Sequence, residues 1–253
     1  MSRKTARYSA ARVNADFAFD IAAGRVAGWS HVNKFGHNSD VDVGSEDVWE
    51  VGGDYTGFIV NASTLEIFSS DVNDTAAGSG ARSVKVFGLD SDYIEQEEII
   101  TLAGAGTVVS VNPYLRVHRV YVMSGGVNGE NAGIITIQDT QPVTLASIGI
   151  GDNQTHQATF TVPVGKVGII TQIWAGLGVG TGVAAETDIA MLVRPLNEVF
   201  QTKFLLGLTT HWSHPPRPPI VVLAKADIKL RAVNNDSINS NITGGFDIIL
   251  RDI

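Results

Sequence analysis

The chain contains no cysteine. That excludes disulfides and thiolate metal sites, and leaves packing, β-ladder hydrogen bonds and partners to hold the fold. It also suits synthesis in a reducing compartment. No apolar run approaches the ~20 residues needed to cross a bilayer, and no apolar core of a signal peptide follows the basic N-terminus. Neither a leader nor a membrane anchor is expected. Long runs of 3.6-residue apolar periodicity are missing, so long helices are not expected either. No repeat of fixed period appears.

What is present is β-forming. The 253 residues are 44% hydrophobic and only 17% charged, with 27 glycines. This composition suits one large or two medium domains with a real core. Short alternating segments recur at Val60–Phe68, Ser83–Leu89, Glu97–Leu102, Tyr114–Met123 and Gly133–Gln138. In the second half they recur at Gln157–Val162, Val167–Ala175, Asp188–Arg194, Val199–Leu206, Ile220–Leu223, Asp227–Val233 and Gly245–Asp252. Gly, Asn, Asp and Ser clusters separate them, the pattern of an antiparallel sandwich or barrel. Val162-Pro-Val-Gly-Lys166 reads as the turn of a hairpin. The proline-rich stretch His211–Pro219 reads as an extended surface loop, because proline cannot donate to a ladder. The fold class expected is all-β: two tandem jelly-roll-like sandwiches behind an extended arm. The arm would be residues 1–16, the first sandwich 17–143 and the second 144–253.

Charge is uneven. Net charge is −8, and all of that excess lies in residues 1–143, with eighteen acidic against ten basic residues. Residues 144–253 are balanced. The exception in the acidic half is the arm, where Arg3, Lys4, Arg7 and Arg12 precede the first acid, Asp16. Such an arm could dock an acidic protein surface, including another copy of this chain. With the body acidic or neutral, direct nucleic-acid binding is not expected.

Motifs of chemistry fail on context. There is no Gly-x-Ser-x-Gly elbow. His211 and His214 are spaced like helical metal ligands, but they precede two prolines, so metal binding is not expected there. The Asp71–Asp74 and Asp90–Asp92 turns offer hard oxygens but lack EF-hand spacing, and read as ordinary Asx turns. The glycines of Ala76–Ala81 and Gly176–Gly182 lack the strand–loop–helix setting of a phosphate cradle. Paired carboxylates for glycoside hydrolysis can come from distant strands, but the four tryptophans are scattered and mark no glycan cleft. No catalytic residue, metal or cofactor is therefore assigned. His211, Trp212 and His214 remain as a candidate partner-binding surface beside the arm.

Several stretches carry a resemblance. They are Gly28-Trp-Ser-His-Val-Asn-Lys-Phe-Gly-His-Asn38, Asp71–Arg82 running into Val84–Asp90, Leu115-Arg-Val-His-Arg-Val-Tyr121, Asn131–Ile134, and Phe160-Thr-Val-Pro-Val-Gly-Lys166. From about Gly28 onward the chain resembles virion structural proteins of tailed phages, many of them marine, with jelly-roll modules. The resemblance departs at the proline-rich loop and at Pro-Val-Gly-Lys, where Pro-Ala-Gly-Lys is commoner. It implies a non-enzymatic capsid decoration (cement) protein on the virion. Its partners would be the major capsid protein or other virion proteins and copies of itself, in a homo-oligomer such as a trimer. The alternative is a tail- or head-fibre module that recognises host glycans.

Overall fold

The computed structural model describes residues 17–178, 186–236 and 239–253. Among the described residues a short helix, α1 (Phe17–Ala22), leads into seventeen strands. In the first half these are β1 (Trp29–Val41), β2 (Gly44–Asp47), β3 (Ser63–Ser69), β4 (Ala81–Leu89), β5 (Glu95–Thr101), β6 (Val108–Tyr114), β7 (Arg116–Gly125), β8 (Ile135–Asp139) and β9 (Thr144–Ile148). Then follow β10 (Thr159–Thr161), β11 (Lys166–Gly178), β12 (Thr187–Arg194), β13 (Gln201–Leu208), β14 (His211–His214), β15 (Ile220–Val222), β16 (Asp227–Asn235) and β17 (Ser240–Asp252).

The fold is all-β, in two antiparallel sandwiches. One packs the sheet β6-β3-β8-β9 against β5-β4-β7. Alternation supplies its core: Leu65 and Ile67 on β3, Val84 and Val86 on β4, and Ile135 and Ile137 on β8 are all fully buried. The other packs β1-β17-β11-β14, with β15 also on β11, against β10-β16-β12-β13, with β2 also on β16. Its core draws on Ile170 and Ile173 of β11, Ile189 and Met191 of β12, Ile228 and Leu230 of β16, and Phe246 and Ile248 of β17. Each such side chain contributes about 1.5–3 kcal/mol on burial.

The path of this second sandwich is that of a jelly roll. The chain alternates between its sheets: β1, then β2 and β10, then β11, then β12 and β13, then β14 and β15, then β16, then β17. β2 and β10 pair with the same strand, β16, and together form one broken strand. The first sandwich is the insertion that breaks it.

The division of the chain therefore differs from 17–143 and 144–253. β1 and β2 belong to the second sandwich. β9 (Thr144–Ile148), assigned by those ranges to the second sandwich, completes the first. The reason is that β1 hides its signal. Three of its four buried positions, Lys34, Gly36 and Asn38, are not apolar, because they face His118 of the other sandwich, the crossing segments at Val48 and Ala158, and polar groups of β2 rather than a hydrocarbon core. Gly36 has no room for a side chain: a Cβ would overlap Val48 O and stand 2.5 Å from Ala158 N. Val162–Lys166 is a turn, with Gly165 at φ 74°, but it does not close a hairpin. β10 pairs in one sheet and β11 in the other, so the turn is a crossing between layers.

Candidate functional site

The junction of the sandwiches is built on β7. A regular strand through Arg116-Val-His-Arg-Val-Tyr121 would put Val117 and Val120 on opposite faces, yet both enter the first core. The register against β4 shifts between Phe87 and Gly88, which pair with Arg119 and Val117. His118 is thus the extra residue of a bulge, which re-aims the strand. Arg116, His118 and Arg119 are thereby directed to the second sandwich. The returning segment lies alongside, with Val122 N–H donating to Asn153 O (2.7 Å) and Thr155 N–H to Val120 O (2.9 Å).

Arg116 is nearly buried and reaches Asp227 of β16, its Nε 2.9 Å from Oδ1 and its second terminal nitrogen 3.2 Å from Oδ2. The Asp227 carboxylate also accepts from Thr161 Oγ1 (2.6 Å) and from Arg194 (2.6 and 3.0 Å). The ring of Phe58 lies 5.3 Å from each guanidinium. A second buried pair joins Lys229 Nζ to Asp47 Oδ2 (2.7 Å). Burial pushes Asp47 above the ordinary carboxylate value, against the attraction of Lys229.

Beside them, Lys34 Nζ donates to His118 O. Burial, reinforced by the charge of Arg119, holds Lys34 well below the usual lysine value. His118 is also held well below its usual value, first by burial and then by Lys34 and Arg116. These groups line a cavity of about 230 Å³ with Glu95 and Tyr121. A buried amine beside an imidazole invites a catalytic reading. The bonding argues against it: His118 Nε2 accepts the Thr161 N–H at 3.1 Å, so its lone-pair nitrogen is occupied and cannot take a proton from a substrate.

His211, Trp212 and His214 are brought together, though not as a loop. They form β14, paired with Ile173–Gly176 of β11. Trp212 stacks on His214 (5.1 Å) and on Phe204 of β13 (4.9 Å). β13 and β14 are the edges of the two sheets, so this stack closes the open side of the jelly roll. His211 is exposed and the other two are half-buried. The rings use their faces on one another, which leaves little platform for stacking a sugar. Leu205 on β13 stays 55% exposed beside them. Arg3, Lys4, Arg7 and Arg12 lie outside the described residues, as does the part of the Gly176–Gly182 run beyond Gly178.

The acidic turn at Asp71–Asp74 holds a feature that spacing does not show. Asp74 is fully buried. Its carboxylate accepts from Ser69 Oγ (2.6 Å) and from the N–H groups of Ala81, Ala132 and Gly133 (2.7–2.9 Å). It ties two loops together and has no capacity left for an ion. The residues that do approach a metal-ligand arrangement are His37, Glu50 and His156. They come from three distant segments, so no local spacing announces them.

No family profile and no curated protein matches the chain. Among solved structures it is similar to "Structure of infectious bursal disease virus Gt strain", at 11% identity over 88% of this chain and 72% of that one, with a TM-score of 0.23. It is likewise similar to "Crystal structure of infectious bursal disease virus VP2 subviral particle", at 9% identity over 90% and 73%, with a TM-score of 0.21. Overlaps this loose carry no statement about partners or activity.

Proposed function

We propose that the chain is a structural component of a virus particle, and more narrowly a decoration protein on the outer surface of a tailed-phage capsid. The observation that carries this reading is the junction. Its ionisable groups bond across the two sandwiches: Arg116 to Asp227, Lys34 to the His118 carbonyl, and the His118 ring to the Thr161 N–H. Bonds of fixed direction between two sandwiches suit a part that transmits force and holds an angle. The sequence resemblance to phage virion proteins points the same way. The basic arm supplies the contact to the shell or to a neighbouring copy, and repetition over a lattice multiplies each weak contact.

Quantitative staining of purified particles tests the reading. Hundreds of copies per particle are expected; a few to a few dozen would indicate a tail or fibre part instead. Deleting residues 2–12 should abolish particle association and leave the circular-dichroism spectrum unchanged. Leu205→Glu, at an exposed position, should change stability by less than about 0.5 kcal/mol. It therefore reports whether the β13–β14 edge takes part in assembly.

A further inference from the structure

Two imidazoles and two carboxylates converge where the chain passes between the sandwiches. His37 is on β1, Glu50 is on the outgoing crossing after β2, and Asp152 and His156 are on the return before β10. One ligand atom from each of His37, Glu50 and His156 lies within 4.8 Å of the others. His156 Nδ1 is 3.4 Å from Glu50 Oε2 and 3.6 Å from Asp152 Oδ2. Good N–H···O bonds run about 2.7–3.2 Å, so both contacts are long for that. They fit two donors on one ion: bonds of about 2.0–2.2 Å in tetrahedral geometry place neighbouring donors roughly 3.3–3.6 Å apart.

Three further features support an ion. Glu50 Oε2 is buried and makes no well-formed hydrogen bond, its one contact with His156 Nδ1 being long. Gly149 makes room for both carboxylates: a Cβ there would overlap Asp152 Oδ2 and stand 2.7 Å from Glu50 Oε1. His37 Nε2 lies 3.0 Å from Asn241 Oδ1. An amide oxygen only accepts, so Nε2 carries the proton and Nδ1 keeps its lone pair, as in metal-bound histidines held by an outer partner. Two imidazoles with a carboxylate suit zinc and its neighbours better than calcium or magnesium.

We propose that His37, Glu50 and His156 bind one divalent transition-metal ion of the zinc class, with the Asp152 carboxylate beside it, and that the ion clamps both crossing segments onto β1. The role is a staple. It pins the only two described segments that lead into and out of the inserted sandwich.

The test uses the whole chain, stripped with EDTA and dialysed. Zn²⁺ is titrated by calorimetry and Co²⁺ by visible absorption. One equivalent should bind, Co²⁺ should show the bands of a four- or five-coordinate site, and Zn²⁺ should raise the thermal midpoint. His156→Ala and Glu50→Gln should lose binding at least ~10-fold, and Asn241→Ala about 10–100-fold. The double variant His211→Ala/His214→Ala should bind like the parent. Should a variant fail to fold, histidine ring NMR on the parent still decides: Zn²⁺ should shift His37 and His156 and leave the other four rings in place. Absence of stoichiometric uptake would overturn the proposal and leave His156 as the protonated partner of two carboxylates. Uptake that survives His156→Ala and Glu50→Gln, or that shifts other rings, would overturn it by placing the ion elsewhere.

Discussion

Asp227→Asn is the sharpest perturbation of the junction. The carboxylate accepts two bonds from Arg116, two from Arg194 and one from Thr161. Charge-assisted bonds are worth about 1.5–3 kcal/mol each, so a naive total would exceed the stability of many domains. Burial decides what is actually lost. The Arg194 side chain is 29% exposed and can return to water. Arg116 is 6% exposed and cannot. The amide keeps one acceptor oxygen and turns an NH₂ toward a guanidinium, leaving Arg116 without a counter-charge. Breaking a buried pair in this way costs about 3–5 kcal/mol. For a chain of this size that is a fall in Tm of roughly 6–20 °C. Urea unfolding and calorimetry measure it, and Arg116→Met supplies the second leg of a double-mutant cycle. In the Arg116→Met background the cost of Asp227→Asn should shrink, because the stranded charge is gone. A cost below about 1 kcal/mol in the parent, or an equal cost in both backgrounds, would refute the claim that Arg116 depends on Asp227.

Two other positions give separate expectations. Lys34 binds fewer protons folded than unfolded, because its folded value is depressed. Parent stability should therefore rise with pH from that depressed value up to about 10.4. Lys34→Met removes this contribution, so the variant's advantage in urea midpoint over the parent should shrink from pH 7 to pH 10; parallel profiles would show that Lys34 does not titrate this way. Asp74→Ala strands a hydroxyl and three backbone N–H groups in a buried site, and should cost about 3–5 kcal/mol by thermal unfolding. Asp74→Asn should cost less, and a loss under ~1 kcal/mol for the alanine would mean that water replaces the carboxylate.

The strands that alternate cleanly are legible in the sequence. Ser83–Leu89, Asp188–Arg194 and Asp227–Val233 fall inside β4, β12 and β16 or match them. The unread strands failed for local reasons. In β1, Lys34, Gly36 and Asn38 fill inward positions because polar groups of the junction lie opposite. β14 opens a proline-rich stretch, and its pairing ends at His214, before the first of those prolines. The junction itself was legible only as residue types: Leu115–Tyr121 reads as a strand with two arginines and a histidine in it. Which face they take is set by the bulge at His118, and one inserted residue reverses every inward and outward assignment beyond it. His37, Glu50 and His156 could not be gathered from spacing, because the insertion brings position 37 beside position 156.

The polar character of the junction bears on why the sandwiches are joined as they are. An apolar interface of equal area would hold them as firmly, since a buried ion pair seldom outperforms hydrocarbon in net stability. It would also tolerate sliding, because hydrocarbon contact has no preferred direction. The junction has fixed directions instead. Arg116 must meet Asp227, the His118 ring must meet the Thr161 N–H, and Lys34 must meet the His118 carbonyl. Shifting one sandwich by a single strand residue, ~3.3 Å, would leave all three donors buried and unpaired. One relative placement is therefore favoured over its neighbours by several kcal/mol even where the total binding is unremarkable. For the decoration role proposed above that selectivity would have a use: contacts made by one sandwich would set where the other points, so that copies on a lattice would present the same outer surface.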